Sequence, residues 1–594
     1  MRRGRPSEFI LGANYGRAAR VLSLVVFLLC ETSAWGFSPV AAKHGMVVAG
    51  EPFAAEAGLE VLRAGGNAID AAVAVGFALA VTHPEAGNIG GGGFMLIRLA
   101  NGEATVVDYR EEAPAAASHN MFLSARGELI ADASVVGPLA AGVPGTVAGL
   151  ALAEQKYGKL GLSRVLEPAI RLAEQGFPVS YALSESLREE RELLSKFPET
   201  SRVFLRDGRL YEPGEIFKQP DLGQTLRDIG REGPQAFYRG RVAEAIVATM
   251  EKYHGLISRL DLEQYQPKVR RPLEGHFRGF KILTVPPPSS GGVVLIEMLN
   301  VLEPLDLGSP NSFHSMHLIA ETMRRAYADR AAYLGDADYA RVPVSGLTSP
   351  SYAAKLRNEV LRAKADLPVQ PGKPLEFESS ETTHFSVVDA EGNAVANTYT
   401  LNGGYGSGLT VEGAGFLLND EMDDFAAKPG APNMFGLVQG EANAIAPHKR
   451  PLSSMTPTIV IENVPGQVAE GGTRPWNAGS SPGPVEAVRL VLGARGGGMI
   501  INTVLQVILN VLVFGMDVRE AVTSPRFHHQ WLPDQLTVEL RGFSADTLER
   551  LREAGYKLNE RAAIAECEAI EINPKTGWRF GAADPRRDGK AVGD

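Results

Sequence analysis

Cysteine is nearly absent from this chain: 594 residues hold only Cys30 and Cys567. Two thiols so far apart in sequence exclude a disulfide framework and a cysteine-based zinc site. Runs of one charge are also missing. No block of five or six like charges occurs, and 59 basic against 69 acidic side chains leave a formal charge of −10. The electrostatic footprint of a nucleic-acid binder is therefore lacking. Long apolar runs are scarce. After residue 34 no uncharged apolar stretch reaches the roughly 20 residues that a membrane-spanning helix takes. No internal repeat and no low-complexity linker divides the chain.

What is present is 44% apolar and 22% charged, the composition of a soluble globular protein rather than a disordered, coiled-coil or collagen-like chain. The length permits a large core that needs no staples. Taken alone it suggests about four domains of roughly 150 residues, a prior that large α/β enzymes often break.

Arg2, Arg3, Arg5, Arg17 and Arg20 precede an apolar run over residues 21–30, and Thr32, Ser33 and Ala34 follow it. A basic lead, a short apolar core and a small-residue exit predict a secretory signal peptide over residues 1–34, cut after Ala34. The expected location is periplasmic or extracellular, with an uncleaved anchor as the alternative. Cleavage would remove five Arg and two Glu, leaving a charge of −13 and the single thiol Cys567.

Helices and strands alternate along the rest. Residues 44–49 read as a strand, and 51–81 as helix interrupted at Gly65-Gly66. Residues 94–98 and 104–109 alternate like strands. Helical spacing returns at 145–157, 162–175 and 313–334. β character dominates after residue 383, and residues 499–514 read as a buried helix. Residues 463–484 are the most loop-like, rich in Gly, Pro and Ser. The fold class is mixed α and β, with the strands sandwiched.

Two motifs invite misreading. Gly87-Asn88-Ile89-Gly90-Gly91-Gly92-Gly93 resembles a dinucleotide loop, but a helix precedes it and a strand follows, the reverse of the order that fingerprint needs. Tight backbone packing is the expectation there. His528-His529 suggests metal, yet neighbours on a strand point to opposite faces and do not readily chelate one ion. No metal and no organic cofactor is expected.

The chemistry gathers at a hairpin. Residues 381–388 and 394–400 read as strands around the turn Asp389-Ala390-Glu391-Gly392-Asn393. With a five-residue turn, Val388 opposes Ala394 and Thr382 opposes Thr400, so two hydroxyls lie within hydrogen-bonding reach. Threonine pairs are common in sheets, and this alone marks no site.

The run Thr382-Thr383-His384-Phe385-Ser386-Val387-Val388-Asp389, followed by Gly392-Asn393-Ala394-Val395 and Thr398-Tyr399-Thr400-Leu401-Asn402, resembles the processing site of γ-glutamyltranspeptidases. So do Asp108-Tyr109-Arg110-Glu111, Pro144-Gly145-Thr146-Val147-Ala148-Gly149, Pro286-Pro287-Pro288-Ser289-Ser290-Gly291-Gly292, residues 419–425, Lys449-Arg450-Pro451-Leu452-Ser453-Ser454-Met455 and Pro525-Arg526-Phe527-His528-His529-Gln530. The likeness spans roughly residues 40–590.

The resemblance implies a four-layer αββα sandwich of the N-terminal nucleophile hydrolase type, made as an inert precursor. Thr382 would cut the bond after Glu381, giving a large subunit, 35–381, and a small subunit, 382–594, that stay together as a heterodimer. The new α-amine, with a reference pKa of about 7.7–8.0, would then serve as base for the Thr382 hydroxyl. Thr400 would orient that hydroxyl. Arg110 would grip the substrate α-carboxylate with a fork that lysine lacks, with Ser453 and Ser454 adding hydrogen bonds. Asn402, Glu421 and Asp424 would hold the α-ammonium. Gly496 and Gly497 would supply oxyanion amides. The implied donors are glutathione and related γ-glutamyl compounds, and the acceptors are water, amino acids or peptides.

Three departures stand out. Ala494-Arg495 replaces the Ser-Pro that usually precedes the glycine pair. A decoy, Gly479-Ser480-Ser481-Pro482-Gly483-Pro484, lies upstream in an apparent insertion over 463–488, but Pro484 lacks an amide proton. The lid-like segment 429–440 is present, with Phe435 where many bacterial members have Tyr. Two rival readings remain: a same-fold acylase for glutaryl-type amides, and a protein that binds γ-glutamyl compounds without turnover.

Overall fold

The structure, a computed structural model, describes residues 38–206, 208–377, 387–464 and 485–594. Residues 1–34, Glu381 and Thr382, and the Gly479–Pro484 decoy fall outside them.

Local rules place the first elements. Helix α1 (Pro52–Arg63) starts where the Glu51 carboxylate accepts from the amides of Phe53 and Ala54 and proline takes the first turn, a position where its missing N–H costs nothing. Gly65-Gly66 interrupts the helical pattern, and α2 (Ala68–Thr82) restarts behind an Asn67–Asp70 capping box. Strand β1 (Gly92–Arg98) is buried along its whole length and forms an antiparallel hairpin with β2 (Ala104–Tyr109). Helix α3 (Thr146–Tyr157) packs on both. Strand β3 (Ala394–Thr400) pairs antiparallel with β1, Thr400 opposite Gly92.

Val388 bridges Ala394, the register that a five-residue turn predicts. Asp389 pins this turn. Its side chain accepts from the amides of Gly392 and Asn393 at 3.0 and 2.9 Å and from the Ala68 amide of α2 at 3.0 Å. The hairpin is thereby tied to a helix N-terminus.

A second sheet of seven strands contains β4 (Thr458–Val464), β5 (Val485–Arg495) and β6 (Glu566–Ile572) side by side, flanked by Phe280–Thr284 and Leu273–Phe277 on one side and Arg579–Ala582 and Val40–Ala42 on the other. β3 faces β5 across the two sheets. Helix α4 (Gly291–Leu302) packs outside the second sheet, with α5 (Phe313–Tyr333) against α4. Helix α6 (Ile500–Leu512) also packs on this sheet and is buried almost throughout. Helices α2 and α3 cover the first sheet, so the layers run helix, sheet, sheet, helix.

The glycine-rich loop acts as a spacer. A Cβ on Gly90 would meet Leu417 O at 2.1 Å, and one on Gly91 would meet Thr400 O at 2.1 Å. Only glycine lets these two backbone segments, the end of β3 and the strand-like stretch at Leu417, come this close. The histidines serve separate contacts: Asn502 Nδ2 lies 2.8 Å from His528 Nδ1, whereas His529 Nε2 lies 3.3 Å from Asp534. Among the described residues no cluster of three or more His, Cys, Asp or Glu is placed to hold a metal ion.

Candidate active site

Strand β5 ends at Arg495, and the backbone then turns sharply. Gly496 has φ +130° and Gly497 φ +58°, in the region that side-chain-bearing residues avoid. A Cβ on Gly496 would lie 2.9 Å from Ala565 Cβ, and one on Gly497 2.6 Å from the Phe435 ring. The Tyr327 hydroxyl donates to Gly498 O. Each glycine is therefore held by a different neighbour before α6 begins.

Phe435 reaches Gly497 from the lid-like segment, which is a folded hairpin. The Gly430 amide donates to Gln439 O and the Asn433 amide to Leu437 O. Gln530 Nε2 donates to Phe435 O at 3.1 Å.

Thr400 closes β3, and its hydroxyl accepts from the Asn402 amide at 2.9 Å. Asn402 itself sits at φ +82° and donates through Nδ2 to Asp420 O at 3.1 Å.

A fully buried guanidinium anchors the acidic group beyond. Arg110 donates from Nη1 to Glu421, from Nη2 to Asp424 at 2.6 Å and from Nε to Pro451 O at 3.2 Å. Glu111 Oε2 is 3.5 Å from Nη1. Three carboxyls thus crowd one cation. Burial pushes the Glu111 carboxyl up to about 7 and raises Glu421 well above the carboxylate range, as expected where one positive charge cannot balance three negative ones. Glu112, the other neighbour in sequence, turns away to Arg450.

Ser453 and Ser454 stand opposite. The Ser453 amide donates to Pro288 O at 2.8 Å, and its carbonyl accepts from Ser290 Oγ at 2.6 Å. Arg330 of α5 donates to Ser454 Oγ at 3.0 Å and to Ser290 Oγ at 2.9 Å.

These parts meet in one cavity of about 610 Å³. Thr400, Asn402, Glu421, Asp424, Ser453, Ser454, Gly496 and Gly497 all line it, with Phe435 and Arg495 between. Arg110 lies one layer behind the wall, its fork spent on Glu421 and Asp424. Sequence reasoning missed Tyr327 and Arg330, which brace the glycine and serine segments from one face of α5. Their only signal was polar residues three apart on a helix read for its apolar stripe. It also missed His83, which caps the end of α2 beside Arg495.

The sequence model of the γ-glutamyltranspeptidase family matches residues 54–474 and 481–594. The chain is 46% identical over 555 residues to the glutathione hydrolase proenzyme of Escherichia coli strain K12, covering 93% of this chain and 92% of that protein. It resembles the crystal structure of Helicobacter pylori γ-glutamyltranspeptidase at 46% identity and TM-score 0.53, over 57% of this chain and 95% of that one. It also resembles that of cephalosporin acylase from Bacillus halodurans at 28% identity and TM-score 0.79, over 94% and 97%. The layered fold is that of the N-terminal nucleophile hydrolases. Matched along nearly all of its length in sequence, this chain belongs to the γ-glutamyltranspeptidase family.

Proposed function

We propose that this protein is a γ-glutamyl hydrolase and transpeptidase that matures by cutting itself between Glu381 and Thr382. The observation that carries the reading is the cavity. It sets two strained glycines, the end of the Thr400 strand and a carboxylate-and-serine cluster around one space. The Val388–Ala394 register supports the pairing of Thr382 with Thr400.

In maturation the Thr382 hydroxyl attacks the Glu381 carbonyl, the acyl group shifts from nitrogen to oxygen and frees the Thr382 α-amine, and water then hydrolyses the ester, releasing the Glu381 carboxylate and restoring the hydroxyl. That amine takes the hydroxyl proton when Thr382 attacks the γ-carbonyl of a donor such as glutathione. The oxyanion rests on the Gly496 and Gly497 amides. The departing amine leaves with a proton, and the γ-glutamyl ester passes to water or to the amine of an amino acid or peptide.

The head group enters a site that is already ion-paired. Its carboxylate would displace a carboxylate from the Arg110 fork, and its ammonium would pair with the carboxylate so released. Ser453 and Ser454 complete the carboxylate's hydrogen bonds, and Asn402 those of the ammonium. A glutaryl substrate brings no ammonium and would leave Glu421 and Asp424 uncompensated, which disfavours the acylase reading. Residues 35–381 and 382–594 would form the two subunits, with residues 1–34 directing export and removed by it.

The test is a denaturing gel and intact mass of purified protein. Two fragments, the smaller beginning Thr-Thr-His-Phe-Ser, with turnover of a γ-glutamyl anilide, are expected. An active unbroken chain would sink the mechanism.

A further inference from the structure

Arg495 is the last residue before the two glycines, and its side chain is held on three sides. On β6, Glu566 stands directly across from it and takes the guanidinium in a fork, Nε to Oε2 at 2.6 Å and Nη2 to Oε1 at 3.0 Å. The remaining nitrogen, Nη1, lies 2.8 Å from His83 Nε2 at the end of α2 and 3.8 Å from Glu85. Burial and the Arg495 charge keep the His83 ring neutral, with its pKa pulled down to about 3, so Nε2 can accept. Arg587 closes the group, 3.3 Å from Glu566 and 3.4 Å from Glu85. Two guanidiniums face two carboxylates, and Glu568 adds a further acidic group acting on Arg495.

The acidic arm bears on the glycines a second time. Ala565, immediately before Glu566, is the residue against which Gly496 packs. One ion pair therefore fixes both the strand leading into the turn and the wall behind it. We propose that Arg495, clamped by Glu566 and His83, is a positioning residue that sets where the Gly496 and Gly497 amides point. This rests on the reading of those glycines as the oxyanion donors. The physical ground is that such amides stabilise charge only when fixed beforehand, and that misplacement of about 1 Å can cost about 100-fold in rate.

The experiment compares Glu566→Gln, Arg495→Lys and Arg587→Ala with the wild type, all confirmed as folded and cleaved. Four quantities are read on each: kcat and KM for a γ-glutamyl anilide, inhibition by L-glutamate, and inhibition by serine plus borate, whose tetrahedral adduct mimics the oxyanion. Glu566→Gln and Arg495→Lys should each lower kcat about 10- to 100-fold and weaken the borate adduct in parallel, with KM and L-glutamate inhibition within about twofold of wild type. Arg587→Ala shares the same carboxylates but is not joined to the glycines, and should keep its borate affinity. Equal loss of borate affinity in Arg587→Ala, or loss of L-glutamate and borate affinity together, would overturn the clamp in favour of a general electrostatic effect. A wild type that turns over the anilide, with both clamp variants matching it, would overturn the clamp alone. A wild type inert to the anilide would overturn the reading of the site.

Discussion

A single guanidinium holding three carboxyls is the tightest constraint at the scale of residues. Arg110→Lys keeps the charge and loses the fork. Donor binding should weaken by about 1.5–3 kcal/mol, the range for hydrogen bonds to charged groups, read as a rise in KM for a γ-glutamyl anilide. Cleavage into two fragments should be unaffected. Unchanged kinetics would remove Arg110 from head-group recognition. Thr382→Ala should leave one unbroken chain on a denaturing gel, with no turnover. Both residues were nominated from motif and chemistry. The buried pairing of Arg110 with Glu421 and Asp424 was not, because partners 311 and 314 positions away in sequence leave no local trace.

At the scale of elements, strand β5 separates the Gly496 turn from the point where the chain re-enters the sheet at Val485. Its eleven residues span about 36 Å at roughly 3.3 Å each. Val464 pairs with Val485 at one end, and Gly496 follows the other. The connection over 465–484 therefore leaves and re-enters the sheet far from the turn. Replacing it with an Asn-Gly turn should give an enzyme that still cleaves itself and hydrolyses donor within about threefold of wild type. Loss of activity in a folded, cleaved variant would mean that the segment shapes the site.

Helix packing carries a pH signature at the same scale. Glu154 of α3 is buried beside Asp70 of α2, and burial, with that neighbour's charge, raises its pKa from 4.5 to about 8. Between those values the unfolded chain has released this proton while the folded chain still holds it, so stability falls as pH rises. Glu154→Gln keeps the shape without the titration. It should raise the melting temperature at pH 8, by on the order of 1–3 kcal/mol of stability, and change little at pH 4.5. Equal effects at both pH values would place the gain elsewhere.

Residues from both sides of the Glu381–Thr382 bond are woven together at the scale of the whole molecule. β3 is hydrogen-bonded to β1, and β4 to Phe280–Thr284. Cleaved halves should therefore co-elute on gel filtration and separate only in denaturant. Early separation under native conditions would mean that cleavage loosens the sheets. No helix among the described residues is long and apolar enough to cross a membrane. The proposed export depends on residues 1–34, and a fusion of residues 1–40 to a reporter active only outside the cytoplasm should give signal.

The sequence by itself determined the elements whose causes are local. α1 and α2 break at Gly65-Gly66, β3 spans Ala394–Thr400 as the hairpin reading predicts, and α6 occupies the apolar stretch after Gly498. Caps, turn residues and hydrophobic period act over a few positions, so they can be read directly. Ordered motifs also carried the identity of most of the groups that line the cavity. Only the tertiary structure decided how those groups are held. Gly91 must be bare because the end of β3 passes within a Cβ's width of it, and Gly90 because the Phe416–Leu417 segment does. Arg330 and Tyr327 matter because α5 lies against the serine and glycine turns. Arg495 matters because β6 places Glu566 across from it. These are contacts between distant segments, made when the sheets stack, and no periodicity along the chain encodes them.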